Sequence, residues 1–119
     1  MGNTTTYDVS LPEIRRILER LLPHGHPTVG QVAAETGVRM RTLQRRLAQV
    51  GLSHSILVRQ VQLSRACLLL TSREVTISQI SIETGFATPG SFSRAFRAWT
   101  GVSPRELRRN PDLARNVKF

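Results

Sequence analysis

The chain contains one cysteine, one tryptophan, one tyrosine and one lysine. Cys67 on its own can form no internal disulfide and has no second thiol for a metal site, which points to a reducing compartment, the cytoplasm. No apolar run approaches the roughly 20 residues that span a bilayer, and residues 1–10 are polar, with Asp8 and no apolar stretch of the signal-peptide kind. Acid is also scarce. Eight Asp and Glu stand against 17 basic residues, 16 of them Arg and the other Lys118, for a net charge of +9. No acid falls between Glu35 and Glu74, whereas Arg39, Arg41, Arg45, Arg46, Arg59, Arg65 and Arg73 all do. Such an imbalance calls for a polyanionic partner. A length of 119 residues excludes barrels and doubly wound sheets and leaves one small domain, or two very small units sharing a core. Apolar content of 39% is that of a chain that folds.

What is present is a series of helix starts. Ser10-Leu11-Pro12-Glu13, Thr28-Val29-Gly30-Gln31, Thr76-Ile77-Ser78-Gln79 and Ser103-Pro104-Arg105-Glu106 read as capping boxes. In each, a hydroxyl and a Glu or Gln three residues on satisfy orphan amides reciprocally. Thr88-Pro89 is a fifth start, lacking the partner acid. Leu11, Ile14, Ile17/Leu18 and Leu21/Leu22 define an amphipathic first helix that ends at Pro23 and Gly25-His26-Pro27. A longer helix is expected over 53–70, with Leu57, Val61, Leu63, Ala66, Cys67 and Leu70 inward and Arg59, Gln62 and Arg65 towards solvent. No segment alternates as a strand does.

An internal repeat organises these helices. Laying residues 28–53 over 76–103 pairs Thr28/Thr76, Gln31/Gln79, Glu35/Glu83, Thr36/Thr84 and Gly37/Gly85 at a constant offset of 48. With one extra residue before Phe92 and another at Thr100, it continues through Arg45/Arg94, Gly51/Gly101 and Ser53/Ser103, with Leu43/Phe92, Leu47/Phe96 and Val50/Trp99 as apolar equivalents. Each copy is a capped helix, a Glu-Thr-Gly turn whose glycine suits a left-handed C-cap, and a second helix, which together make a helix-turn-helix.

In the second helix of copy one, Leu43, Leu47 and Val50 are expected inward, which puts Arg41, Arg45 and Ala48 opposite, flanked by Gln44 and Gln49. Arg can bond guanine O6 and N7, and Gln adenine N6 and N7, so Arg41, Gln44 and Arg45 are candidate base readers. Arg39 and Arg46 lie off that face and are expected to meet phosphates or to pair with Glu35. In copy two, Phe92, Phe96 and Trp99 turn inward as core, leaving Gly90, Arg94 and Arg97 outward with Ser91 and Ser93 beside them. Arg97 is assigned to phosphate. The 53–70 helix, about 25 Å long at roughly 1.5 Å per residue, could hold two such readers one turn of B-DNA apart on one side of a duplex.

Gly85-Phe86-Ala87, Ser91-Phe92-Ser93-Arg94-Ala95-Phe96-Arg97, Trp99-Thr100-Gly101-Val102-Ser103-Pro104 and Arg108 together resemble the C-terminal signature of AraC/XylS-type transcription regulators. Ile80, Leu63, Ala66 and Leu43-Gln44-Arg45 fit the same pattern, so the resemblance spans about residues 11–109. It implies an all-α, seven-helix DNA-binding domain of two helix-turn-helix units joined by a long linker helix. Such a domain binds promoter DNA through two successive major grooves and touches RNA polymerase when it activates. Family base contacts carry over to Arg41, Gln44 and Arg45 and to Ser91, Ser93 and Arg94. Pro89 and Gly90 depart from the family's long polar readers, Arg39 from its small hydroxyl N-cap, and His54 and Gln62 from its linker Pro and Arg. The expected divisions are a flexible segment 1–10, units at 11–52 and 73–109, a linker helix at 53–72 and a tail at 110–119.

His24 and His26 have no companions to make a zinc site, and Cys67 reads as a buried inert thiol. No arrangement of nucleophile and base, or of paired carboxylates, suggests an enzyme, and no cofactor is implied. The competing reading is a basic helical module that binds an acidic protein such as RNA polymerase. With both readers in one chain, the domain is expected to act as a monomer. The short lead-in favours the excised C-terminal part of a longer regulator, whose other domain would carry any dimerisation.

Overall fold

Hydroxyl side chains open six of the seven α-helices among the described residues. In the computed structural model, which describes residues 10–117, these helices are α1 (Leu11–Leu21), α2 (Val29–Thr36), α3 (Met40–Gln49), α4 (His54–Leu70), α5 (Ile77–Glu83), α6 (Pro89–Thr100) and α7 (Pro104–Arg109). Short 3-10 helices follow α1 (Leu22–His24) and α7 (Pro111–Asn116), and the described residues include no strand. Residues 1–9 of the N-terminal segment and 118–119 of the tail lie outside the described residues.

Reciprocal boxes form at Thr28/Gln31, Thr76/Gln79 and Ser103/Glu106, and the Ser10 hydroxyl accepts from Glu13 N. The fifth start is better made than its sequence suggested. Ser91 replaces the missing acid: its N–H donates to Thr88 Oγ1 at 3.0 Å, and its Oγ accepts from Thr88 N at 3.2 Å. By contrast α3 begins at Arg39 with no side-chain cap. The turn glycines Gly37 and Gly85 adopt φ of 73° and 85°, as the repeat requires.

The apolar residues form two cores along an elongated body of 51 × 26 × 22 Å. Ile14, Leu18, Leu22, Val32, Leu43 and Leu47 make the first, and Ile80, Phe92, Phe96 and Leu107 the second. Helix α4 contributes to both: Leu57, Val58 and Val61 enter the first core, Leu63, Ala66 and Leu70 the second. This division corrects the expectation for Gln62. Instead of facing solvent it is 5% exposed, and its Nε2 donates to Thr84 O at 2.9 Å. A helix buried on different faces along its length has no single polar stripe, so periodicity misplaced the residue at the changeover.

Val50 is a second correction. It is 60% exposed, because α3 stops one residue earlier. Leu52 takes its place against the first core while its N–H bonds Leu47 O at 2.8 Å, and Gly51 N–H bonds Ala48 O, which together make a Schellman ending. The repeat also extends to its acids. Glu35 pairs with Arg20 of α1, and Glu83 lies 3.9 Å from Arg65 of α4. Each turn is thus tied to the helix that precedes its copy of the repeat, through half-exposed pairs worth at most about 1 kcal/mol.

Beyond α7, Leu113 and Ala114 pack on the second core. Cys67 is half-buried near them, and that burial pushes its thiol pKa up, the opposite of an activated nucleophile.

Candidate nucleic-acid interface

Helix α3 turns its burial into a graded outer surface. Leu43 and Leu47 are 0% and 2% exposed, whereas Arg39, Arg41, Gln44 and Arg45 are exposed and Thr42 and Arg46 half-buried. At about 100° per residue, Gln44 and Ala48 fall on one flank, Arg41 and Arg45 on the crest, and Thr42 and Arg46 on the other flank. The surface relief follows that order. Arg39, Thr42 and Arg46 line an open recess of about 310 Å³ with Gly37 and Val38. Gln44 and Ala48 line another of about 310 Å³ with Leu52, Ser53, His54 and Ser55. Arg41 and Arg45 stand on the ridge between. Among the described residues that line it, the first recess groups two guanidiniums with a hydroxyl, chemistry suited to a phosphate. Sequence spacing gave no reason to include Ser55, which the turn into α4 brings beside Gln44 and Ala48.

Helix α6 is built differently. Phe92 and Phe96 are each 1% exposed, meet as tilted rings with centroids 5.7 Å apart, and continue through Phe86 to Trp99 as core. Ser91 and Ser93 are half-buried, and Arg94 and Arg97 exposed. The Ser91 hydroxyl is engaged in the cap, also donating to Thr88 O at 2.8 Å. The Arg94 guanidinium lies back along the first turn, so near Gly90 that a Cβ there would sit 3.2 Å from its Nη1. Gly90 therefore supplies the room that Arg94 occupies. Arg97 approaches Glu106 of α7 at 3.6 Å. The Glu106 carboxyl is held below its ordinary pKa, chiefly by hydrogen bonds from the Ser103 backbone and hydroxyl, with Arg97 and Arg109 adding to the effect.

A third basic recess, of about 430 Å³, is lined by Ile77, Arg105, Arg108 and Arg109. Sequence reasoning passed over Arg105 and Arg109 because they lie outside the repeat. Among the described residues no three or more His, Cys, Asp or Glu are grouped to hold a metal; His54, at the start of the connector, makes a 2.7 Å hydrogen bond between its Nε2 and Pro27 O.

The family described as a helix-turn-helix domain matches residues 32–110, covering the second half of the first unit, the connector and all of the second. The chain belongs to the AraC-type helix-turn-helix family of transcriptional regulators. It is 39% identical over 83 residues to an uncharacterized HTH-type transcriptional regulator of Mycobacterium tuberculosis, covering 70% of this chain and 24% of that protein. To the ornithine utilization regulator of Pseudomonas aeruginosa it is 32% identical over 108 residues, covering 89% of this chain and 32% of the other. Its fold superposes with a TM-score of 0.72 on a transcriptional regulator of the AraC-type DNA-binding class from Chromobacterium violaceum. That structure is 27% identical, with 92% of this chain and 97% of the other covered. The AraC-type chain thus spans about a quarter to a third of the length of these two curated relatives. Its family is one of regulators, not of enzymes.

Proposed function

We propose that this AraC-type domain is the double-stranded DNA reader of a transcription regulator, with α3 and α6 entering successive major grooves. Residues 11–52 and 73–109 act as the two reading units and 53–72 as their connector. The observation that carries the reading is the exposed ridge of Arg41 and Arg45 with Gln44 beside it, backed by buried Leu43 and Leu47. It offers bidentate donors for purine edges on a helix its core holds in place.

The two readers differ in role. Arg41, Gln44 and Arg45 read bases, and Arg39 and Arg46 hold phosphate. In the second unit Ser93 and Arg94 face the base edges, Arg97 meets phosphate, and Ser91 sets the start of α6 through its cap. Arg105 and Arg109 extend the backbone contact, since the first helix of such a motif crosses the phosphate chain and Ile77, which opens α5, borders their recess. The family likeness favours DNA over an acidic protein as the main partner. Contact with promoter-bound RNA polymerase, activation, a monomeric domain and a cytoplasmic setting complete the proposal. No helix among the described residues is long and apolar enough to cross a membrane.

Selection of bound duplexes from a random pool tests this. The expected product is a consensus of two half-sites about 10 bp apart, the first more sharply defined than the second. Binding that falls with salt but selects no consensus overturns the proposal, because any polyanion gives the salt effect.

A further inference from the structure

The two units meet directly as well as through their connector: α5 packs against the 3-10 turn Leu22–His24 that follows α1. Gly85 lies at that contact with φ of 85°, and a Cβ there would come within 3.1 Å of Leu22 O and 3.2 Å of Gly25 O. Both are backbone atoms and cannot swing aside. Its counterpart in the first unit, Gly37, has nothing within 4 Å of such a Cβ. The left-handed turn explains the glycine in both copies, but only Gly85 is also needed for a close approach between units. The preceding residue, Thr84, is fully buried, and its carbonyl accepts the Gln62 bond from the changeover point of α4. Nearly one turn earlier on α4, the Arg59 guanidinium lies 5.3 Å from the Trp99 ring centroid near the end of α6. Three ties therefore join the units: turn to turn, connector to turn, and connector to second reader.

We propose that Gly85, Gln62 and Arg59 are positioning residues that lock α6 in one phase relative to α3, and thereby set the half-site spacing this protein accepts. One added base pair shifts the second half-site by about 3.4 Å and turns it by about 35° around the duplex. Units joined only by the backbone of one helix could follow part of that turn by bending and twisting. Units tied at three points cannot, because the turn would pull Gln62 from Thr84 and drive Gly85 against the Leu22 and Gly25 carbonyls. The inference rests on the DNA reading proposed above.

The test uses the selected duplex, versions with one base pair added or removed between its half-sites, and a duplex carrying the first half-site alone. Affinities are measured for the unaltered chain, Gln62→Leu and Arg59→Gln, with folding of each checked by its melting curve. The unaltered chain should lose about 10-fold or more on either shift, within the range of ordinary site-to-site coupling. Gln62→Leu should reduce that loss below about 3-fold, and Arg59→Gln should reduce it partway, with binding to the single half-site changed by neither. Arg59→Gln, at an exposed position, still decides the matter if Gln62→Leu does not fold. If Arg59 merely touched phosphate, its loss would weaken both spacings equally and leave their ratio intact, which counts against the proposal. An unaltered chain indifferent to spacing, or folded variants that keep its ratio, overturns this inference while the DNA reading stands. A selection without consensus overturns both.

Discussion

Replacing Arg108 by alanine removes a side chain that fastens the second unit to the end of the connector. Its Nε donates to Leu70 O at 3.2 Å, and its Nη2 to Ser72 O at 2.9 Å and Val75 O at 2.5 Å, with Leu69 O at 3.5 Å. Leu69 and Leu70 belong to the last turn of α4, whose carbonyls lack intrahelical donors. Ser72 and Val75 lie in the loop that leads into α5. A hydrogen bond from a charged donor contributes about 1.5–3 kcal/mol when well shielded. Arg108 is only half-buried, so about 1 kcal/mol for each of the three shorter bonds is the better figure, a loss of about 3 kcal/mol. For a domain of this size that lowers Tm by about 10–15 °C. Denaturant titration followed by circular dichroism should show a lower midpoint with an unchanged slope. Arg108→Lys should recover only a part, since one ammonium cannot reproduce the fork. Arg105→Ala, exposed one turn away, should stay within about 0.5 kcal/mol of the parent. An Arg108→Ala protein as stable as the parent would refute the assignment of these bonds as the fastening.

Arg45→Ala should relax one position of the selected site by about 1–3 kcal/mol of discrimination, while Arg46→Ala weakens all duplexes alike; competition with single-position variants separates the two. Arg105→Ala with Arg109→Ala should lower the slope of log K against log salt by about 2, and an unchanged slope would remove this recess from the backbone contact. Glu106 has a folded pKa below its unfolded one, so its contribution is complete above the ordinary carboxylate range and is lost as pH falls through the lowered value. Glu106→Gln should flatten the acid side of the stability profile, and an unaltered profile would contradict this. Arg39→Ser should stabilise the free domain by about 1 kcal/mol by supplying the missing cap while weakening DNA binding at every sequence, read by melting and titration of the same protein.

The helix starts and the core positions of α3 and α6 were legible because each depends on residues within four positions. Thr28 and Gln31, or Leu43 and Leu47, carry their partners in the same window. What the sequence misplaced or left unread answers to partners far along the chain. Gln62 is buried by Thr84, 22 residues on, and Arg108 acts on carbonyls more than 30 residues before it. Ser91 was read for the edge it might touch, whereas its hydroxyl closes a cap that pattern matching sought only in acids and amides. Val50 failed for a reason the repeat concealed. The two copies end differently, one in a Schellman turn at Gly51 and the other at Gly101, so aligning Val50 with Trp99 assigned a core role to a residue outside its helix.

The two copies divide stability from recognition along these lines. Helix α6 opens with Pro89, a complete Thr88/Ser91 box and small residues, features that settle where the helix begins. Helix α3 opens with an uncapped arginine followed by another at Arg41, so cationic charge sits at the positive end of its dipole, where it is unfavourable. In the free domain that arrangement is a cost of about 1 kcal/mol in capping alone. Against a phosphate the sign reverses, because the orphan amides, the dipole and the recess of Arg39 and Arg46 all favour the same anion. A stable start would need the hydroxyl that Arg39 displaces, and a phosphate-binding start needs the arginine. One position cannot satisfy both, and the copy proposed to carry the richer base-reading face is the one that gives up its cap.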